Sequence, residues 1–248
     1  MKVKNRFERK ILMRVLAVGS HPDDLELSCG GTLARMAKEG YEVYTCHVAN
    51  GNMGHAVIMP DELGPMRTIE AENAGKVLGV KKVYNVDVGD CMLYADNLDT
   101  RREMVRIIRE VNPDFIITHG PDDYMNDHLE VSKLVFETSF TATVGHMFPE
   151  TGAPTAAVVP IYYMDNLAGT NFVPEMYVDV TDYIDQKLDA VECHKSQIVW
   201  MREHDKIDFI EFVRSCTRGR GLQCGVMYAE GFKTCKAHLR QTTMRHLP

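Results

Sequence analysis

Two short stretches carry side chains able to hold a metal ion between them. The first is His21-Pro22-Asp23-Asp24, in which an imidazole and a carboxylate three residues apart span a turn and can reach one ion. The second is Asp122-Asp123-Tyr124-Met125-Asn126-Asp127-His128, which closes on another imidazole. A catalytic zinc typically takes three protein ligands and keeps one position for water; His21, Asp24 and His128 form such a set. Two histidines and one carboxylate are also the ligands of non-haem ferrous sites, so ligand type leaves Zn2+, Fe2+ or another divalent metal open. Asp23 is then the spare carboxylate. It can face the metal's water, whose pKa the ion lowers toward neutrality, and take its proton. The plainer account of both stretches is a helix start, because Asp in a cap or first turn is ordinary stabilising chemistry.

The elements that would position these residues are legible as alternating strands and helices. Leu12–Val18 is a short apolar run of buried-strand type, ending in the sharp turn Gly19-Ser20-His21-Pro22. Leu25, Cys29, Leu33, Met36 and Ala37 then recur at helical spacing up to Gly40. Strands are expected at Tyr41–Val48, Lys82–Val86 and Asp114–Thr118, and helices at Pro65–Leu78, Arg101–Val111 and from Asp127 onward. This alternation implies an α/β fold with a mostly parallel sheet and helices on both faces. Ligands bind such sheets beyond the C-terminal strand ends, and both motifs fall there, after the first and the fourth strand.

Further along, Ala156–Met164 is a strand candidate inside a Gly-, Pro- and Thr-rich segment, 145–174, which reads as a substrate-facing lid or a plain surface connection. Met176–Val180 is a late strand, and helices over Asp182–Arg202 and Asp205–Ser215 finish the fold. No internal repeat or linker divides the chain, so one domain over residues 1–248 is expected.

Composition narrows the class. A net charge of −7 argues against a nucleic-acid surface, which needs concentrated Lys and Arg. The basic ends, residues 1–10 and the last sixteen, read as solvated termini. No apolar run is long enough to span a bilayer, and no signal-peptide stretch opens the chain. Seven scattered cysteines without a C-x-x-C pair fit reduced thiols in a cytoplasmic protein.

Taken together, SHPDDLELSCGGTLARMAKEG and ITHGPDDYMNDHLEV resemble the PIG-L/LmbE-like N-acetylglucosaminyl deacetylase family. Weaker likeness extends over Arg67-x-x-Glu70, Asp90 and Tyr228–Phe232. The resemblance implies a Rossmann-like α/β fold, zinc at His21, Asp24 and His128, and Asp23 as general base. It also implies substrate contacts from Arg67 and Asp90, with hydrolysis of an N-acetyl group from a glucosamine-containing small molecule. Assembly into trimers or hexamers is a further implication.

One departure stands out. The family commonly has a second histidine three residues before the third ligand, polarising the carbonyl or protonating the leaving amine, and here Met125 occupies that place. A thioether does neither. His55, His119 and His194 are the candidates to replace it; the alternative is a metal- and sugar-binding protein with weak or altered hydrolysis. A dinucleotide-binding Rossmann protein is disfavoured, because the first strand-to-helix turn is acidic and lacks G-x-G-x-x-G.

Overall fold

The computed structural model describes residues 12–155 and 157–248. The basic stretch 1–10 and Ala156, the start of the expected insert strand, lie outside the described residues. Five strands run parallel: β1 (Arg14–Gly19), β2 (Glu42–Ala49), β3 (Lys82–Val88), β4 (Phe115–Thr118) and β5 (Ile161–Met164). β6 (Met176–Asp179) and β7 (Ala229–Thr234) complete the sheet, with β7 antiparallel to both β5 and β6. The order is β3-β2-β1-β4-β5-β7-β6. From β1 the chain builds outward through β2 and β3, then crosses to the other side of β1 to lay down β4. The C-terminal ends of β1 and β4 therefore flank a topological switch point, where two successive crossovers diverge and leave a crevice.

Strand alternation divides the core in two. Leu16 and Val18 face α3 (Leu98–Val111) and α4 (Asn126–Thr141), packing with Met104, Val131 and Leu134. Their neighbours Val15 and Ala17 face the opposite side, against Leu25, Cys29 and Leu33 of α1 (Asp24–Glu39) and Ala74 and Leu78 of α2 (Pro60–Leu78). With both faces covered, the strands can be apolar throughout, as the sequence of β1 requires. α1 and α2 stop at Gly40 and Gly79, each in the left-handed region that a C′ glycine adopts without strain.

Several boundaries differ from those expected. α2 begins at Pro60 rather than Pro65; Pro60 takes the first helical position, which tolerates a missing N–H, and Pro65 lies inside the helix. The helix expected over Asp182–Arg202 is broken into α5 (Ile184–Val191) and α6 (Lys195–Trp200), the latter running into a π turn, Met201–Asp205. α7 (Phe209–Cys224) extends well past Ser215, through Gly219 and Gly221. After α7 the chain adds β7, a strand the sequence analysis leaves out. Within 145–174 the expected strand is present but shorter, β5 at Ile161–Met164.

Candidate metal centre

β1 delivers the first motif. After Gly19 the chain turns through Ser20–Asp23 into α1, and the turn is tight enough to hold Asp23 at φ 146°, a conformation L-residues rarely adopt. Strain of this kind persists only where surrounding contacts enforce it. Here Arg67, 3% exposed and projecting from α2, donates to the carbonyl of Pro22 at 2.6 Å and places Nη2 3.0 Å from Asp23 Oδ2.

Asp24 begins α1 and faces the histidines. Its Oδ2 accepts from the His21 backbone N–H at 2.6 Å, and its Oδ1 lies 3.4 Å from His128 Nε2. His128, in the first turn of α4, has Nδ1 3.1 Å from Asp123 Oδ2. His21 has Nε2 3.1 Å from Asp127 Oδ2, and its Nδ1 is 3.6 Å from Asp24 Oδ2. Each imidazole thus spends one nitrogen on a supporting carboxylate and turns the other toward Asp24. This is the arrangement by which carboxylates orient metal-ligating histidines and set their tautomer. One donor atom from each of His21, Asp24 and His128 lies within 4.8 Å of the others, and His128 Nε2 is buried without a hydrogen-bond partner. A buried ring nitrogen left unpaired amid carboxylates fits a divalent cation, as does the mixed N/O donor set.

The charges respond accordingly. Burial alone would raise the Asp24 carboxyl, but His128 and His119 outweigh it and hold it well below the usual range. Burial opposes protonation of His128, yet Asp24 and Asp123 raise it to about 9. Asp23 moves the other way: burial raises its carboxyl, and Arg67 only partly offsets this.

A second donor group, His119, Asp123 and His128, also converges within 4.8 Å. It shares His128, whose Nδ1 lies 3.1 Å from Asp123 Oδ2, and His119 Nε2 accepts the Ser20 N–H at 3.0 Å and lies 3.2 Å from Asp24 Oδ2. We therefore assign His119 and Asp123 to the support of the first group.

The residues lie along a cavity of about 380 Å³, to which His21, Asp23, Asp24, Met125, Asp127 and His128 all contribute. Arg67 and Asp90 line it too: Asp90 accepts the N–H groups of Gly51 and Met53 at 2.8 and 3.0 Å, while Arg67 Nε is buried without a hydrogen-bond partner. Of the candidates to replace the missing histidine, His119 stacks on His128 with ring centroids 3.8 Å apart, and burial and His128 lower its pKa to about 4. A neutral ring whose Nε2 is already accepting is a poor acid. His55 does not line the cavity, and its Nδ1 accepts from Val57 and Ile58 within its own loop. His194 is fully buried beside Glu26, with Nε2 and Oε2 3.4 Å apart, and does not line the cavity either. Neither His55 nor His194 lines the cavity, whereas Met125 does. Sequence reasoning did not single out the supporting roles of Asp123 and Asp127, although both lie within the second motif.

The fold and the cluster at its switch point define a class: α/β proteins with a candidate His/Asp/His metal-ligand set after the first and fourth strands. Residues 16–139 match the family model described as PIG-L, GlcNAc-PI de-N-acetylase, and the chain belongs to that family. It is 27% identical to the diacetylchitobiose deacetylase of Thermococcus kodakarensis, over 89% of this chain and 82% of the relative. It is 24% identical to a 4-oxalmesaconate hydratase of Pseudomonas putida, over 88% of each. The solved N,N'-diacetylchitobiose deacetylase of Pyrococcus horikoshii, in complex with an inhibitor, superposes with a TM-score of 0.77 at 26% identity, covering 90% of this chain and 83% of that one.

Proposed function

We propose that the protein is a zinc-dependent N-deacetylase that hydrolyses the acetamide of a glucosamine-containing small molecule. The observation that carries this reading is the convergence of His21, Asp24 and His128 on one point of a cavity that Asp23 also faces. Bound there, a divalent ion would supply Lewis acidity, lowering the pKa of water and polarising the acetamide carbonyl.

The chain's own residues do the rest. Asp23, held by Arg67 and raised by burial, accepts the proton of the attacking water. Water oxygen adds to the carbonyl carbon, the C–N bond breaks, and the departing nitrogen needs a proton. Met125 offers none, and His119 Nε2 is occupied by the Ser20 amide. The protonated Asp23 is then the group that returns it, serving first as base and then as acid. Arg67 acts through Asp23. Asp90 shapes the substrate pocket through the loop Gly51–Met53.

Met125 favours a second reading, a metal- and sugar-binding protein of this fold with weak or altered hydrolysis. The 4-oxalmesaconate hydratase among the relatives bears a name outside deacetylation. Acetate release from N-acetylglucosamine conjugates separates the two. The first reading expects release with zinc and none after chelation; binding without release favours the second. Seven unpaired cysteines support a reducing, cytoplasmic setting, and no helix among the described residues is long and apolar enough to cross a membrane. The resemblance supports a homo-oligomer, a trimer or hexamer.

A further inference from the structure

The break between α5 and α6 turns a face of α6 onto the metal cavity. Gln197 and Met201, one helical turn apart and so on the same side, both line it. Two buried carboxylates hold the break in place. Glu26 of α1 stands beside His194, and Glu70 of α2 accepts the Ser196 N–H at 2.9 Å and the Ser196 hydroxyl at 2.6 Å. Glu70 lies one turn past Arg67 on α2. A single helix therefore carries both the arginine that holds Asp23 and the anchor that seats Gln197.

The two ends of the Gln197 amide have different surroundings. Its Oε1 is buried without a hydrogen-bond partner, against Gly54 and on the side of the Arg67 guanidinium: a Cβ added to Gly54 would lie 3.4 Å from Gln197 Oε1 and 3.4 Å from Arg67 Nη1. Its Nε2 donates to nothing among the described residues and is not shut away, so the NH2 is the end that opens on the cavity. Oxygen toward the guanidinium and nitrogen outward is the favoured way round, because a guanidinium has donors only. The side chains from which the resemblance implies sugar contacts spend hydrogen bonds elsewhere. Arg67 donates to the Pro22 and Gly51 carbonyls, and Asp90 accepts the Gly51 and Met53 amides. Gln197 is left as a seated donor facing the substrate space on the Asp23 side.

We propose that Gln197 is a substrate-binding residue that donates from Nε2 to the hydroxyl oxygen next to the acetamide-bearing carbon of the sugar ring. The orientation rests on the deacetylase reading. Asp23 returns a proton to the departing nitrogen, so the carbon that carries this nitrogen lies on the Asp23–Arg67 side, where Gln197 stands. In an acetamido sugar linked through its anomeric carbon, the free hydroxyl beside that carbon is the 3-hydroxyl. Its oxygen accepts such a bond while keeping its own hydrogen. This oxygen takes no charge as the acetamide is hydrolysed, so the contact is as strong before the reaction as during it and acts on binding rather than on the chemical step.

The test compares the methyl glycoside of N-acetylglucosamine with its 3-deoxy analogue. Both are titrated calorimetrically into the zinc-loaded full chain carrying Asp23→Asn, in which the ligand persists, with and without Gln197→Met. Methionine is of similar size and donates nothing. Before the Gln197 substitution, the parent glycoside should bind about fivefold more tightly than the 3-deoxy analogue, the weight of one net hydrogen bond. With Gln197→Met the difference should vanish, both ligands binding as the analogue does. In the chain that keeps Asp23, Gln197→Met should raise KM for acetate release about fivefold, with kcat within about twofold and zinc content unchanged. Equal binding of the two glycosides before the substitution, or no binding of either, would overturn the assignment. So would a difference that survives Gln197→Met, which would pass the hydroxyl to another donor in the cavity such as Asn126. A fall in kcat or zinc content at unchanged KM would overturn it too, placing Gln197 in support of the metal centre. A binding difference that Gln197→Met removes, with no acetate released by the zinc-loaded native chain, would defeat the deacetylase reading and leave the contact standing.

Discussion

At the scale of single residues, the proposed mechanism separates groups that would hold a metal from a group that would move a proton, and the two should fail differently. His128 contributes a nitrogen that nothing else in the chain replaces. In His128→Ala we expect metal content to fall from about one ion per chain to near zero, while far-UV circular dichroism stays unchanged because the site lies at strand ends. Stoichiometric metal in that variant would remove His128 from the ligand set. Asp23→Asn keeps the shape of the side chain and loses the base, so metal should stay while acetate release drops at least about 10²-fold. Met125→His restores a donor beside the metal, and release should rise by about tenfold or more, since a missing oxyanion partner costs on the order of 10²–10³; no gain would mean a pocket built for different chemistry. The convergence of His21, Asp24 and His128 was legible because it depends on residue type and on position after a strand. The roles of Asp123 and Asp127 were not, because they depend on which ring nitrogen each histidine turns toward the centre, and that is set by how α4 meets β1 across the switch point. That the cavity is lined by neither His55 nor His194 was hidden for the same reason: which loop and helix face it is set by tertiary packing.

At the scale of elements, the first six strands could be read from the sequence and β7 could not, while the C-terminal helices were read with different breaks. β1 and β4 are apolar runs bounded by turns, the pattern of strands buried on both faces. β7 is Ala-Glu-Gly-Phe-Lys-Thr, which has no such signature. Its Glu230 is buried because it accepts the Gly31 and Thr32 amides of α1 and the Lys187 ammonium, a tertiary compensation no local pattern displays. α7 runs past the expected end at Ser215, through Gly219 and Gly221. Gly221 is required by contact: an added Cβ would sit 2.5 Å from the Met227 carbonyl oxygen. Gly221→Ala should therefore force α7 away from the approach to β7 and destabilise by about 1–3 kcal/mol. Gly219 meets open space, so Gly219→Ala should stabilise by roughly 0.5–1 kcal/mol through helix propensity. Urea unfolding of the two variants checks both signs, and a matching loss at the two positions would refute the distinction.

At the scale of the whole molecule, the candidate metal centre couples stability to pH, in opposite senses with and without metal. In the metal-free protein, Asp24 and Asp123 raise His128 from an unfolded value near 6.5 to about 9, and burial resists but does not cancel them. A group whose folded pKa is raised binds its proton more tightly in the native state, so its contribution is fully present below about 6.5 and is lost as pH climbs through about 9. The bound is about 3 kcal/mol for this group at about 1.4 kcal/mol per unit. His21 is raised in the same direction, with burial opposed by Asp127 and Asp24. A metal ion competes for the same nitrogens and must displace those protons. Its affinity therefore rises over the same interval, and with it the stabilisation it confers, which reaches about 4 kcal/mol when free ion exceeds Kd a thousandfold. Thermal melts between pH 6 and 9 should show Tm falling with pH in the presence of a chelator, and the increment from added zinc growing. The two curves are expected to diverge toward pH 9. A zinc increment that is flat across this range would show that the imidazoles of His21 and His128 are not the groups the metal must deprotonate, and would move the ion elsewhere in the chain.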